Sequence, residues 1–480
     1  MFSLPPMTLS TSAKSVFSSA LLSERRASAH TSTLLRSSFT KSRTRRWDTT
    51  SDATAMSTAV TTSRISPAEL CQSIPYINYN ARNGILLLEQ DCHLTTNSYI
   101  CRMRHLFTAI LVLFLCVSCK DELELPKTTW KRVVVVYMMG ENSLSTYAQR
   151  DLNEMREAMR TIPDSCQLVV FFDNSRNEIN PQILTFDAKG GEKTLFTYKT
   201  DPVSTDSATL QQALQTIVKA SPAKSYGLVM WSHGSGWLPQ KPANYTIGID
   251  NGKNTLVNKG KEMEIPTLAN ILRKTDERWD YVFFDACFMQ SAEVAYELRN
   301  EVEWCISSPA EIPAEGAPYH ELLPMLFDNE PWHIAEAYYE YYKTREGIVI
   351  SAIRTSEMEN LAMATKPLIA SLPSYPSTEG IQQYFGLEYP EQWEPEFYDM
   401  GSAMHKWFES DYDAWLEVAR KAVPYYYATQ QWTTGYPDFF DPKLTDEEHI
   451  LGISMYIPTE NGRQNEAFKR TSWYKSAGWK

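Results

Sequence analysis

Five short, unbroken apolar runs punctuate the chain after residue 130: residues 132–139 (RVVVVYMM), 167–173 (QLVVFFD), 226–231 (YGLVMW), 281–285 (YVFFD) and 347–353 (GIVISAI). They are rich in β-branched and aromatic residues and bounded by polar segments, so they predict strands buried on both faces. Between them, apolar residues recur at helical spacing. Leu144, Ala148, Leu152, Met155 and Met159 share one face, and Leu210, Leu214, Ile217 and Val218 share another. Strands alternating with helices imply right-handed crossovers and a mainly parallel sheet covered on both sides. The fold class is therefore α/β, a three-layer α/β/α sandwich over residues 130–355.

Past residue 355 the pattern changes. Helical periodicity returns at 356–370, 398–408 and 411–423, a Pro- and aromatic-rich stretch fills 372–396, and 452–457 reads as a late strand. Residues 356–480 are taken as a helical C-terminal elaboration.

The N-terminal part is of another kind. Residues 1–60 are rich in Ser, Thr, Ala and Arg without period, and 1–102 are read as a disordered or upstream extension. Met103-Arg104-His105 then precedes an apolar run, 106–117, with the length of a signal segment rather than a membrane span. Met103 is thus the expected start, with 103–119 the signal and 120–129 a linker. Leu115-Cys116-Val117-Ser118-Cys119 resembles a bacterial lipobox in which Cys119 is lipidated, although Cys116 stands where an aliphatic residue is usual. Lys120-Asp121-Glu122 looks like the export tag of Bacteroidetes surface lipoproteins. The expected location is the outer membrane or cell surface, through a lipid anchor.

Charge sharpens the division. Residues 1–102 hold 11 Lys+Arg against 6 Asp+Glu and carry +5, so the rest carries −17 of the overall −12. An acidic body excludes nucleic acid as a partner, since phosphate binding requires a basic surface, and suits basic substrates. Of the 8 cysteines only Cys166, Cys287 and Cys305 lie in the body. Three thiols with no Cys-x-x-Cys spacing make neither a disulfide framework nor a metal site, and at least one is unpaired.

Two segments carry chemistry. Trp231-Ser232-His233-Gly234-Ser235-Gly236-Trp237 follows the strand at 226–231, placing His233 at the sheet rim where open α/β folds bind ligands. The strand at 281–285 runs into Ala286-Cys287-Phe288-Met289, placing Cys287 on the same rim. A helix starting there would lower the thiol pKa through its dipole and free amides, and the glycines after His233 would let the backbone approach a reacting carbonyl. Ser235 is excluded as a serine nucleophile, because a nucleophile elbow needs Gly where His233 stands.

These elements resemble the caspase, legumain and gingipain clan of cysteine peptidases, and most closely its clostripain (C11) family. WSHGSGW and FDACFMQSAEVAYEL match it, as do SSPAEIPAEGAPY at 307–319, YDMGSAMHKWF at 398–408 and GISMYIP at 452–458. The resemblance spans about residues 130–480. It implies a caspase-like sheet, Cys287 as nucleophile, His233 as proton-transferring partner, and an oxyanion hole from the amides of Gly234 and Cys287. A third, orienting carboxylate is not required in the clan.

Asp285 matches the family's acidic S1 position. A carboxylate there would select Arg or Lys at P1 by a charge-assisted hydrogen bond, though an Asp at a strand end can instead cap the next helix. Glu311 and Glu315 are further S1 candidates. The polar interval 238–263, with Lys241, Lys253, Lys259 and Lys261, is either a surface insertion or a site of self-cleavage. No cofactor is required; calcium is possible, but no Asp-x-Asp-x-Asp-Gly loop exists and no metal ligand is assigned. The expected partners are protein or peptide substrates and a membrane anchor, with the chain a monomer. The competing expectation is a catalytically silent surface lipoprotein that binds peptides or glycans.

Overall fold

A computed structural model describes residues 129–174, 179–238, 247–252, 262–385, 395–435, 437 and 440–480. The extension 1–102, the signal segment with Cys119, and Lys241, Lys253, Lys259 and Lys261 lie outside the described residues. Among the described residues no helix is long and apolar enough to cross a membrane.

The apolar runs form the centre of a nine-stranded sheet. Its strands are β1 (Arg132–Gly140), β2 (Cys166–Asn174), β3 (Gln182–Asp187), β4 (Glu192–Thr197), β5 (Tyr226–Trp231), β6 (Trp279–Asp285), β7 (Val302–Ser307), β8 (Val349–Arg354) and β11 (Tyr425–Ala428). They are ordered β11-β8-β7-β6-β5-β1-β2-β3-β4. β2, β1, β5, β6 and β7 run parallel. The flanks are antiparallel: β3 and β4 on one side, β8 and β11 on the other. The 347–353 run is thus a strand, but it pairs antiparallel with β7.

β1 shows why the sheet is central. Val133, Val135, Tyr137 and Met139 enter one core and Val134, Val136 and Met138 the other, and all seven are fully buried. Each such valine contributes roughly 1.5–3 kcal/mol of burial free energy, so one charge placed here would outweigh several of them. Helices Ser207–Ala220, Ile265–Arg273, Ala292–Leu298 and Met358–Ile369 cover the first face, and Ser145–Ala158 and His333–Tyr342 the second. The three-layer α/β/α sandwich expected from the pattern is what folds.

Because Ser145–Ala158 crosses one face while the helices leading to β5, β6 and β7 cross the other, the winding reverses between β1 and β5. The crevice at the C-terminal ends of these two strands is a topological switch point.

The C-terminal elaboration packs on the first core and adds a small sheet of β9 (Gln383–Phe385), β10 (Phe397–Asp399) and β12 (Ser454–Met455), ordered β12-β10-β9. The late strand is only two residues long. Its role lies in position: the amide and hydroxyl of Ser454 donate to the carbonyl of Gln290 at 3.0 and 3.2 Å, and the Tyr456 amide donates to Glu293 at 2.9 Å.

Candidate active site

His233 leaves the end of β5 on a loop held from below. The Ser232 hydroxyl donates to the Met139 carbonyl at 2.9 Å and accepts from the Ile249 amide, while the His233 carbonyl accepts from the Gly248 amide at 2.9 Å. The ring itself is hydrogen-bonded through Nε2 to the Ser143 hydroxyl, 2.8 Å away. Burial lowers its pKa, because an imidazolium loses hydration there. Its neutral form is favoured.

Cys287 lies two residues past β6, yet not at a helix start. The next helix begins at Ala292, capped by Ser291, whose hydroxyl accepts from the Val294 amide at 3.2 Å. Phe288 turns the chain with φ of 62°, and residues 289–291 are not helical. Gln290 holds them in place, its amide donating to the carbonyls of Cys305 and Ser351 at 3.2 and 2.7 Å. The helix-dipole effect expected at Cys287 is therefore absent. Burial pushes the thiol up to about 12, with the Ile312 amide, 3.5 Å from Sγ, working against it and Glu311 and Asp285 reinforcing it. The resting sulfur is a thiol. Cys166 and Cys305 are buried, whereas Cys287 is half-buried.

The two loops touch. A Cβ built on Gly234 would lie 2.7 Å from the Cys287 carbonyl oxygen, and one on Gly236, at φ of +69°, 2.7 Å from that of Phe288. The glycines after His233 thus serve the contact with the cysteine loop rather than leaving space above it. Phe288 in turn stacks on Phe397 of β10, centroids 4.8 Å apart, so the small sheet braces the cysteine turn.

Both loops open on one cavity of about 330 Å³, lined among others by His233, Cys287, Asp285, Glu311, Gly316 and Thr434. A shallower, larger depression near Lys343 and Lys443 holds no candidate residue. Asp285 sits deep, 3% exposed. Its carboxylate accepts from the Ala317 amide at 3.0 and 3.1 Å and from the Tyr319 hydroxyl at 2.9 Å. Burial raises its pKa to about 6 against the pull of those donors. It does not cap the following helix, since Ser291 does. Glu311 faces the cavity but also accepts from the Gly435 amide at 3.1 Å, fastening the loop after β11. Glu315 is exposed and does not line the cavity; its carbonyl accepts from Arg150 at 3.1 Å. Of the three predicted S1 residues, Asp285 and Glu311 line the cavity and Glu315 does not.

Two features had no sequence signal strong enough to find them. Ser143 meets His233 only because β1 and β5 are neighbours in space. Asp151, fully buried on Ser145–Ala158, accepts from the Trp231 indole at 2.8 Å, and burial with the nearby Asp285 raises its pKa to about 9. A third is a group of three buried carboxylates, Glu141, Asp173 and Asp250, close enough to hold a metal ion. Two of these acids stand at the ends of apolar strand runs, a position that Asp285 shares and that could have drawn attention.

A family model described as the clostripain family matches residues 136–480. A secreted C11 cysteine protease from Bacteroides thetaiotaomicron, in complex with an irreversible peptide inhibitor, is similar at 32% identity and a TM-score of 0.64, over 73% of this chain and 99% of that one. An inactive zymogen C11 protease from Parabacteroides distasonis is similar at 30% identity and a TM-score of 0.63, over 73% and 99%. No curated protein matches the chain.

Proposed function

The chain belongs to the clostripain family and is a cysteine-type peptidase, and from that premise we propose that Cys287 and His233 are its catalytic dyad and that it cleaves after Arg or Lys. One observation supports this above the rest: a thiol and an imidazole on touching loops share a cavity with a deeply buried carboxylate. No lysine or arginine lines that cavity, so a cationic side chain entering it would meet Asp285 with no competing cation among the described residues.

In this reading the resting dyad is neutral on both sides. As Sγ attacks the scissile carbonyl carbon, its proton passes to His233, a C–S bond forms, and the oxyanion is received by the amides of Gly234 and Cys287. His233 then gives that proton to the leaving amine as the C–N bond breaks. Water, deprotonated by His233, hydrolyses the acyl-enzyme and returns the thiol. Export with a lipid on Cys119 belongs to the same proposal; it is supported by the signal-like segment before Cys119 and by a relative described as secreted.

The test incubates the purified chain with fluorogenic peptides ending in Arg, Lys or neutral residues, with and without a thiol alkylator, alongside Cys287→Ala and His233→Ala. Alkylation-sensitive hydrolysis confined to basic P1 and lost in both variants is expected. Turnover that survives in Cys287→Ala ends the dyad, and equal cleavage after neutral residues ends the specificity.

A further inference from the structure

We propose that Asp151 is a positioning residue of the substrate pocket: it pins the indole of Trp231 beside Asp285, so that ring and carboxylate together receive a basic P1 side chain, the ring taking its aliphatic stem and the carboxylate its charge. Such a role presupposes that the cavity takes Arg or Lys at P1, as proposed above, and adds to it a residue that does not itself line the cavity.

Sheet geometry gathers the three groups. Trp231 ends β5, Asp285 ends β6, and the two are register partners in the parallel ladder. Register partners on neighbouring strands project to the same face of a sheet, about 5 Å apart. For Trp231 that face is the one covered by Ser145–Ala158, since its ring packs in the same core as Leu152 and Met155. Asp151 precedes Leu152 on that helix, and its Oδ2 accepts from Trp231 Nε1 at 2.8 Å. Trp231 and Asp285 both line the cavity.

An indole has a single polar atom. Once its N–H is bonded to a group on a packed helix, the ring cannot turn without breaking that bond, so Asp151 fixes the plane of this wall of the pocket. Lys and Arg are apolar along the stem and charged at the tip. An oriented aromatic wall next to a buried carboxylate matches both halves, and a cation close to an aromatic ring gains further attraction.

The surroundings of Asp151 agree with this role. It is fully buried, Oδ2 meets Trp231, and Oδ1 has no hydrogen-bond partner among the described residues. Arg150 Nε stands 3.8 Å from Oδ1, beyond hydrogen-bond distance. Burying a carboxyl at a helix–sheet contact costs free energy that an apolar residue would not incur, and the bond to Trp231 is the one that the structure sets against that cost. Asp285, by contrast, accepts from the Ala317 amide and the Tyr319 hydroxyl. Of two neighbouring buried acids the better solvated keeps the charge, so Asp285 carries it at neutral pH while Asp151 stays protonated behind the ring. The single charge therefore sits where a P1 side chain reaches it.

The experiment measures kcat and KM of the full chain at pH 7 on fluorogenic peptides ending in Arg or norleucine, together with Tm and the rate of Cys287 alkylation by iodoacetamide. Asp151→Leu, which fills the site but cannot accept a hydrogen bond, should raise KM for the Arg peptide roughly tenfold while kcat and alkylation stay within about twofold. Asp151→Asn still offers the indole an oxygen and should bring KM back to within about threefold of the wild type. Trp231→Phe tests the same bond from its other end and should raise KM in the same way; if Asp151→Leu does not fold, this variant is read in its place. Adding Asp151→Leu to Trp231→Phe should change KM by less than about twofold more, because Asp151 acts through the indole.

Unchanged KM in folded Asp151→Leu or in Trp231→Phe, full additivity in the double variant, or a parallel fall of kcat, alkylation and Tm with no recovery in Asp151→Asn overturns the assignment. A wild type that cleaves after norleucine as fast as after Arg overturns the basic P1 reading and this role with it. Preference for Arg in the wild type with no response in the variants overturns the role of Asp151 alone, so the two failures are told apart.

Discussion

Gly234 packs so tightly against the Cys287 carbonyl oxygen that a Cβ at that position would come within 2.7 Å of backbone. Backbone cannot swing aside as a long side chain can. Gly234→Ala must therefore push the histidine and cysteine loops apart. An overpacking cost of about 1–3 kcal/mol and a loss in kcat/KM on the order of 100-fold are expected. Denaturant unfolding and steady-state kinetics measure both, and near-native kinetics would refute the contact.

Ser143→Ala removes the only hydrogen bond recorded for the His233 ring among the described residues. Ser143 is exposed, so Tm should hold. A neutral hydrogen bond of about 0.5–1.5 kcal/mol corresponds to a fall in kcat of roughly 2- to 12-fold. The pH profile should shift as well, because the imidazole loses a partner. Unchanged kcat and an unchanged profile would leave Ser143 without a part in orienting the ring.

Asp285 has a folded pKa near 6, above the ordinary carboxylate value of 3.8. Cleavage after Arg or Lys should fall as pH drops through about 6 and the charge in the pocket is lost. Asp285→Asn should remove that acid limb and cut kcat/KM on basic peptides by at least about 100-fold, while alkylation of Cys287 changes far less. Equal loss of cleavage and alkylation would mean that Asp285 only supports the fold. The stability sign runs oppositely: the raised pKa means the native state holds the proton longer, so the contribution is present below 3.8 and lost as pH rises through 6.

At Asp151 the same linkage operates at higher pH. With its pKa raised to about 9, this side chain is protonated at neutral pH, and Asn is nearly its isostere. Asp151→Asn should raise Tm at pH 7, because the unfolded wild type is ionised there and must take up a proton to fold, whereas the variant need not. Between pH 3.8 and about 9 the wild type should progressively lose stability that the variant keeps, with no further loss above that range. Parallel Tm curves over that range would show that Asp151 is already ionised.

The sequence by itself determined the sandwich, the five buried runs, and the seats of His233, Cys287 and Asp285 at strand ends. Burial on both faces leaves a local, readable mark: a short run without polar interruption, followed by residues at the rim. It marked less clearly what depends on partners distant in the chain. The hairpin of β3 and β4 carries exposed polar residues on β4, and its burial pattern is set only by the neighbouring β2. Whether β8 runs parallel or antiparallel is decided by a connection, not by its composition. Cys287 reads as the start of a helix because apolar residues follow it, but Gln290 and the distant Ser454 hold that segment out of a helix. Tertiary structure alone brought Ser143 to His233, left Glu315 off the cavity wall, and gathered Glu141, Asp173 and Asp250. Each of these is a meeting of strand ends that the sheet order creates, and sheet order is fixed by the packing of the whole core rather than by any window of sequence.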